Sequence, residues 1–340
     1  MTRRSMTCAA LFLCALVANA AAPQSGALPF AITKHIPGPD GQWDYAIADP
    51  TTRRLYVGRE YGVMALDLDS GAVTNTLVPG STVHGIAAVG TSGVFVSTNG
   101  KTNTVTFFLG NSGKVLGEVH AGKDPDAVVF EPKTGLIAVM NHEGGDVTLI
   151  EPNSRTAAGT IAVGGELEFA AADGAGRVYV NVADKHRVAV IDIAGRKVVN
   201  TLPLQGCEDP SGLAYDELDR WVISVCFNGV ADIVDATSGR QIASLPTGKF
   251  PDAAIWDPAR RLAFVPSFAD GSLTVIAVRT PRDTRVIQTL ATQPGTRTGA
   301  VDGQTGTLYL PTAKLIPPKK EGDYPTPVPG TFEVLVVAAQ

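Results

Sequence analysis

The chain has 340 residues, of which 36 are Gly and 23 are Pro, and 18% of them are charged, against roughly a quarter in an average soluble protein. Lys and Arg total 28 while Asp and Glu total 33, so the formal net charge is −5. Recognition of nucleic acid or of an anionic membrane through a broad positive field is excluded, because this composition supplies no such field. The low charge content also argues against a disordered chain.

Residues 1–22 are predicted to be an export signal peptide. Arg3-Arg4 forms a basic start, residues 8–17 form an apolar run, and Ala18-Asn19-Ala20 is a small-residue cleavage site. Cleavage is expected after Ala20 or, as a second choice, after Ala22. The apolar run is about ten residues long, whereas a membrane-spanning helix needs roughly twenty. We therefore expect no membrane span, and a mature chain that is periplasmic or secreted.

An internal repeat of roughly forty residues, the length typical of one propeller blade, organises the rest of the chain. Its clearest copies begin at Pro125 and Pro251, and each runs through an acidic residue and a proline into an apolar strand. Within the units, as at Arg177–Val182, side chains alternate with a period of two, which predicts strands and not helices. The position that opens the seven units is occupied by Asp44, His84, Asp126, Glu168, Ser211, Asp252 and Thr298.

Seven such units predict an all-β fold, a seven-bladed β-propeller of four-stranded antiparallel blades that forms a single domain over residues 23–340. The last unit ends after its third strand, at residues 332–337. The segment Phe30–Ile36 has the pattern of an outer strand, so we expect it to complete the last blade. This pairing of the two ends of the chain would close the ring and remove two exposed sheet edges.

Several strand sequences resemble a known repeat. Val94-Phe-Val-Ser-Thr98 and Val178-Tyr-Val-Asn181 are similar to degenerate YVTN repeats of secreted bacterial and archaeal β-propellers, although no copy keeps the full Tyr-Val-Thr-Asn string. The resemblance extends over nearly all of the mature chain and implies the propeller fold. The YVTN propellers are in turn similar to lactonase-like, haem-d1-type and amine dehydrogenase propellers, so the resemblance implies either a binding protein or an enzyme.

The residues that open the units are predicted to face one another around one mouth of the central channel. Neighbouring carboxylates raise one another's pKa or recruit a cation, so Asp126, Glu168, Asp252 and His84 are the candidate ligands of a divalent cation. Capping of a repeated turn is the alternative for the two aspartates. The other residues predicted at this ligand rim are Asp44, Ser211, Thr298, Asn228 and Arg59.

The loops that follow the second strands are expected at the same mouth. They carry His142 and His186, which together with His84 are the candidate acid–base residues of a catalytic site. For His142 and His186 the alternative is a solvated surface histidine without a role. Arg59 and Asn228 belong to the same set of loops.

Two cysteines, Cys207 and Cys226, remain after removal of the signal peptide, and we predict a disulfide between them in an oxidising compartment. The alternative is a pair of buried free thiols. The first lies in the loop that enters the fifth blade and the second ends that blade's second strand. A bridge would therefore stiffen the loop that precedes Ser211.

Residues 314–330 break the repeat with five prolines, between the second and third strands of the seventh unit. This location predicts that the segment lies on the ligand rim. It is either a lid or partner-docking loop with polyproline character, or an insertion without a role.

Together these observations predict an exported β-propeller that binds a small molecule, a metal or a protein partner at the channel rim without catalysis. The alternative, implied by the resemblance to lactonase-like propellers, is a metal-dependent hydrolase or lyase. A scaffold protein that uses the Pro-rich loop is a third hypothesis. The only cofactor considered is a divalent cation, and no nucleic-acid partner is expected. The oligomeric state and the presence of an enzyme activity are left open.

Overall fold

The computed structural model describes residues 29–318, 320 and 324–340. Seven four-stranded antiparallel sheets form the blades of a β-propeller, which confirms the predicted fold class. The predicted signal peptide, residues 1–22, lies outside the described residues. Among the residues that are described, no helix combines the length and the apolar character needed to cross a lipid bilayer.

The strands follow one another blade by blade, beginning with β1 (Phe30–Pro37). Blades one and two contain β2 (Trp43–Asp49), β3 (Arg54–Arg59), β4 (Gly62–Asp67), β5 (Val73–Pro79), β6 (Val83–Ala88), β7 (Val94–Asn99), β8 (Thr104–Leu109) and β9 (Val115–His120). Blades three and four contain β10 (Pro125–Glu131), β11 (Leu136–Asn141), β12 (Asp146–Glu151), β13 (Thr156–Ala162), β14 (Leu167–Ala172), β15 (Arg177–Val182), β16 (Arg187–Asp192) and β17 (Lys197–Pro203).

Blades five and six contain β18 (Pro210–Asp216), β19 (Trp221–Cys226), β20 (Val230–Asp235), β21 (Gln241–Pro246), β22 (Ile255–Asp257), β23 (Leu262–Ser267), β24 (Ser272–Val278) and β25 (Thr284–Ala291). Blade seven begins with β26 (Ala300–Asp302) and β27 (Thr307–Thr312). A short pair, β28 (Leu315–Ile316) and β29 (Thr326–Pro327), precedes its third strand, β30 (Glu333–Ala339). Two 3-10 helices follow the second strands of blades two and four, at Gly100–Thr102 and Ala183–Lys185.

The hydrophobic core consists of layers between adjacent blades. For example, Val96 and Phe107 of blade two pack against Val128, Ile137 and Val139 of blade three. The second and third strands of each blade are covered on both faces by neighbouring blades, so their side chains are buried on both sides of the sheet. Removal of this apolar surface from water is the main stabilising contribution of each layer.

Strand β1 closes the ring, as the sequence predicted. It pairs antiparallel with β30 in the order β1-β30-β27-β26, so the start of the described chain supplies the outer strand of blade seven. Gln288 of blade six fixes this strand, because its amide accepts from Phe30 N and donates to Phe30 O, both at 2.8 Å. The Phe30 ring packs edge-on against Phe264 at 5.0 Å. These contacts join blade seven to blade six.

A β-bulge recurs in the inner strands of blades one to five. Each of these strands pairs with its neighbour at its first residue and again at its fourth, as Trp43 and Ala46 do in β2. Two residues are left between these pairs, opposite one residue of the second strand, and a bulge of this kind redirects a side chain. The first of the two bulged residues is Asp44, His84, Asp126, Glu168 or Ser211 in successive blades.

Polar residues of the second strands hold these bulges in place. The Thr98 hydroxyl of blade two donates to Asp126 O of blade three at 2.7 Å and accepts from Gly85 N at 2.8 Å. At the equivalent position of blade four, Asn181 Nδ2 donates to Ser211 O at 2.8 Å. Both residues end strings that resemble the YVTN repeat. Their side chains form hydrogen bonds with backbone groups that the bulges leave unpaired between the strands.

Candidate functional site

One mouth of the central channel opens into a cavity of about 840 Å³. Its floor contains bulged residues of blades one to four, and its wall comes from the loops that precede the inner strands or follow the second strands. The lining residues are Gln42, Trp43, Asp44, Tyr45, Glu60, Thr82, Val83, His84, Asp124, Asp126, His142, Glu168, Phe227, Phe250, Asp252, Phe268, Arg297, Tyr324 and Pro325.

The His84 imidazole lies among three carboxylates. Its Nδ1 donates to Asp44 Oδ2 at 2.5 Å and lies 3.5 Å from Asp126 Oδ1, and its Nε2 lies 3.8 Å from Asp124 Oδ1. Burial lowers the pKa of His84, but the hydrogen bond and the surrounding negative charges outweigh burial and raise the pKa to about 10. His84 is therefore an imidazolium at neutral pH, and it neutralises part of the acidic floor.

His142 forms a second ion pair one blade further round the ring. Its Nδ1 lies 3.2 Å from Glu168 Oε1 and 3.1 Å from Leu167 O. The hydrogen bond with Glu168 raises the pKa of His142 to about 9, against the effect of burial. His142 is consequently also a cation at neutral pH.

Tyr45 forms the centre of the floor. Its hydroxyl donates to Asp126 Oδ2 at 3.3 Å or to Glu168 Oε2 at 3.4 Å, and its ring packs edge-on against Phe169 at 4.8 Å. Burial and four surrounding carboxylates raise the pKa of Tyr45 well above its ordinary value, so it keeps its proton. A second cavity of about 250 Å³, lined mostly by small apolar residues of the inner strands, lies against the same Tyr45. The tyrosine thus lies between an acidic and an apolar compartment of the channel.

The carboxyl group of Asp126 has a raised pKa. Asp126 is buried, and burial together with the charges of Glu168 and Asp44 raises its pKa well above the ordinary value, against the opposing charge of His84. Burial thus favours the protonated form of this carboxyl group.

Arg297 lies between the first and sixth blades. Its guanidinium is 3.5 Å from Asp252 Oδ2 and 4.0 Å from Asp44 Oδ1, and it donates to Trp43 O at 2.6 Å. Asp252 also accepts from the Ser211 hydroxyl at 2.5 Å. Burial raises the pKa of Asp252 to about 6, against the effect of Arg297. Arg297 was not among the predicted site residues, although it directly precedes Thr298, which the repeat assigns to the ring.

Three phenylalanines form an apolar wall beside this floor. Backbone hydrogen bonds join them in a row, from Phe250 N to Phe227 O at 3.0 Å and from Phe268 N to Phe250 O at 3.1 Å. Phe250 has a φ of 53°, at the position where other blades have Thr82 or Asp124. A bulky residue is uncommon in this left-handed region, and such strain is concentrated at functional sites. The sequence analysis missed this wall, although Phe227 directly precedes the predicted rim residue Asn228.

A group of donor atoms that could hold a metal ion consists of Asp44, His84 and Asp126, whose ligand atoms all lie within 4.8 Å of one another. Carboxylate oxygen and imidazole nitrogen suit several divalent cations. The other two predicted ligands lie outside this group: Glu168 contacts His142, and Asp252 contacts Arg297. A metal ion bound by Asp44, His84 and Asp126 would have to displace the proton that His84 shares with Asp44.

The other predicted rim residues have different surroundings. Ser211 and Thr298 do not line the cavity themselves but bind residues that do, since the Ser211 hydroxyl donates to Asp252 and the Thr298 hydroxyl donates to Asp44 O at 2.7 Å. Arg59 is fully buried at the end of β3, where its guanidinium donates to four backbone carbonyls of residues 39–42 and stacks on a phenylalanine ring. His186 accepts a hydrogen bond from a backbone amide, and Asn228 donates one to a backbone carbonyl. Neither of these two residues lines the cavity.

Cys207 and Cys226 form the predicted disulfide, which is thereby confirmed. The bond joins the loop before β18 to the end of β19, directly before Phe227 of the apolar wall. Disulfides form and persist in oxidising compartments, so this bond indicates an oxidising environment outside the cytosol.

The Pro-rich segment reaches the mouth of the cavity with Tyr324 and Pro325. The carbonyl of Pro325 accepts from Gln42 Nε2 at 3.0 Å, and Gly330 N donates to Asp40 Oδ1 at 2.6 Å. Residues 325–330 of the segment are thus bound to the loop that precedes β2.

The solved structures that are similar in fold to this chain include the following two. Hydrazine synthase of Kuenenia stuttgartiensis matches 81% of this chain and 92% of its own with 14% identity and a TM-score of 0.69. A chain of the mitotic checkpoint complex matches 90% of this chain and 96% of its own with 12% identity and a TM-score of 0.71. At such identity the likeness shows the fold alone. No protein-family model and no curated protein sequence matches the chain, so the resemblance to YVTN propellers stays a prediction.

Proposed function

We propose that this protein is an exported β-propeller that binds a small organic ligand in the cavity at the channel mouth. The observation that carries the proposal is the combination, in one cavity of about 840 Å³, of an apolar wall and a floor of converging polar groups. Cavities of about 300–1,000 Å³ with mostly apolar walls and a few placed polar groups are typical small-molecule sites.

The charge states of His84 and His142 argue against a role for either histidine as a general base. A general base works best when its pKa lies near the operating pH. The pKa values of His84 and His142 are about 10 and about 9, because both histidines are paired with carboxylates. At neutral pH neither imidazole is a free base, so both histidines are suited to pairing with carboxylates and to fixing the position of a ligand.

The proposed location is the periplasm or the cell exterior. The disulfide between Cys207 and Cys226 supports it, since such bonds are rare in the cytosol. The leader-like sequence at residues 1–22 supports it independently.

A thermal-shift screen of the mature chain, residues 23–340, tests ligand binding. The compounds are amines, amino acids, sugars, carboxylic acids and nucleosides, and quenching of Trp43 fluorescence at the cavity provides a second readout. A ligand at about a hundred times its Kd stabilises the folded state by about 2.7 kcal/mol. We expect Phe268→Ala and Asp252→Asn each to reduce the shift.

The matched control is Leu218→Ala, which changes a residue that is 78% exposed in the turn between β18 and β19. This variant should keep the full shift. A screen in which no compound shifts the melting temperature contradicts the proposal, and so does a shift that all three variants retain.

A metal-dependent hydrolase or lyase is the second candidate, favoured by the donor group of Asp44, His84 and Asp126. A bound divalent cation would supply Lewis-acid activation of a carbonyl or a water molecule, and His142 would carry the proton. Elemental analysis of the purified protein, with turnover assays on lactones and esters, tests this candidate. Stoichiometric metal and turnover that Asp126→Asn abolishes would support it, whereas a metal-free and inactive protein would contradict it.

A further inference from the structure

The cavity has an excess of negative charge. Among the residues that the structure describes, its lining contains six carboxyl side chains and three cationic ones, so three negative charges remain when every group is ionised. The carboxyl side chains are Asp44, Glu60, Asp124, Asp126, Glu168 and Asp252, and the cationic ones are His84, His142 and Arg297.

All three cationic side chains of this lining already lie against carboxylates. His84 donates to Asp44, His142 contacts Glu168, and Arg297 lies between two aspartates while donating to a backbone carbonyl. An anionic ligand would therefore have to displace one of these contacts and would lie among like charges. A cationic ligand, in contrast, adds the positive charge that the lining lacks.

The apolar wall also favours an organic cation as the ligand. Phe227, Phe250 and Phe268 all line the cavity, and the rings of Phe227 and Phe250 pack edge to face at 5.6 Å. Phe250 lies two residues before Asp252 in the sequence. Phe268 directly follows Ser267, the last residue of β23, which forms an isolated antiparallel β-bridge with Pro251. The aromatic rings and the floor carboxylate of blade six are thus close in the fold. Aromatic faces attract organic cations, and carboxylates next to such faces strengthen this preference.

The size of the cavity favours an organic cation over a bare metal ion as the ligand. A divalent ion needs only a few ligands at short distance, as the compact group of Asp44, His84 and Asp126 would provide. The cavity of about 840 Å³ extends beyond that group to the phenylalanine wall. A space of this size suits a molecule with a charged head and an apolar body.

We propose that the ligand is an organic cation, a protonated or quaternary amine attached to an apolar or aromatic body. This inference rests on the proposed function. The amine lies among the floor carboxylates near Glu168 and Asp252, and the body packs against Phe227, Phe250 and Phe268.

Calorimetry at neutral pH with isosteric probes tests this inference. The probes are the cations phenethylamine and phenethyltrimethylammonium, the neutral phenethyl alcohol and the anion hydrocinnamate. We expect a cation to bind about tenfold or more tightly than the alcohol, and the anion to bind weakest. The affinity of the cation should decrease as salt is added, because salt screens the carboxylates.

Two kinds of variant separate the contribution of charge from that of the wall. Asp252→Asn should weaken the cation about tenfold and leave the alcohol unchanged, whereas Phe250→Leu should weaken both. Should Asp252→Asn fail to fold, as judged by circular dichroism, Glu60→Gln at the rim provides the same comparison with a smaller expected loss.

The outcomes distinguish this inference from the proposed function. Equal binding of the cations and the alcohol, a preference for hydrocinnamate, or no binding of either cation overturns the organic-cation inference. In each of those cases the proposed function stands as long as some compound of the wider screen binds in the cavity. If no compound of that screen binds, both are overturned.

Discussion

His84 Nδ1 lies 2.5 Å from Asp44 Oδ2, and this hydrogen bond joins the bulges of two adjacent inner strands at the channel mouth. The two residues are forty positions apart in the sequence, one repeat unit, so the contact is a property of the closed ring. It also determines the charge of the floor, because it helps to keep His84 protonated at neutral pH.

Replacement of His84 should destabilise the protein in a pH-dependent way. The pKa of His84 is raised in the folded state from 6.5 to about 10, so its contribution is complete below pH 6.5 and is lost as the pH rises through about 10. The lowered pKa of Asp44 makes the partner's contribution disappear as the pH falls below 3.8. Removing one member of a fully buried pair costs about 3 kcal/mol, and the loss here should be smaller, because 22% of the His84 side chain and 17% of the Asp44 side chain are exposed. Denaturation curves should therefore show the largest loss for His84→Gln between pH 3.8 and 6.5.

His35→Gln is the matched control, because His35 also pairs with a carboxylate, Glu333 at 3.0 Å, but is 59% exposed. An exposed pair contributes less than about 1 kcal/mol. A loss for His84→Gln that is as small as the loss for His35→Gln, or that grows toward pH 10, would show that the buried pair is not the cause.

Tyr45→Phe should cost about 1–2 kcal/mol, since it removes the hydroxyl that bonds to Asp126 and Glu168 but keeps the ring that packs on Phe169. Urea denaturation measures the difference. Tyr61→Phe, which removes an exposed hydroxyl bonded to a backbone carbonyl, should stay within about 0.5 kcal/mol of the wild type. Equal effects of the two variants would contradict a stabilising role for Tyr45 in the floor.

Thr98→Val should destabilise the protein by about 1–3 kcal/mol, because Asp126 O and Gly85 N lose a partner while the shape of the side chain is kept. The same change should weaken ligand binding, because the bulge that carries Asp126 is no longer held. Thr74→Val on the exposed strand β5 is the control and should change neither property. A Thr98→Val variant with wild-type stability would show that the bulge is held by other contacts.

The disulfide should contribute about 3 kcal/mol, the value expected for a closed loop of this length, since 19 positions separate Cys207 and Cys226. The double variant Cys207→Ser and Cys226→Ser should lower the denaturation midpoint by the same amount as treatment with a reductant. Thiol titration of the denatured, unreduced mature chain should detect no free thiol. Two titratable thiols would contradict the bond.

Much of this fold follows from the sequence, because a propeller is built from one local unit. The alternation at Arg177–Val182 predicts strands, and a spacing of about forty residues between units predicts the blades. The unpaired segment at Phe30–Ile36 predicted the closure of the ring by β1. Part of the candidate site could be predicted in the same way. Asp126 and Asp252 occupy the same position of the repeat, and both line one cavity in the structure.

The remainder of the site was decided by tertiary structure. Tyr45, Arg297 and the phenylalanine wall lie beside positions that the repeat named, but a bulge brings two consecutive residues toward the channel, and no local pattern tells which of them reaches it. Arg59 illustrates the opposite case, because it ends a second strand and is buried against backbone carbonyls. The sequence by itself determined the number, order and closure of the blades, since these depend on local periodicity. Which side chains pair across the channel depends on contacts between blades, and only the closed ring brings those residues together.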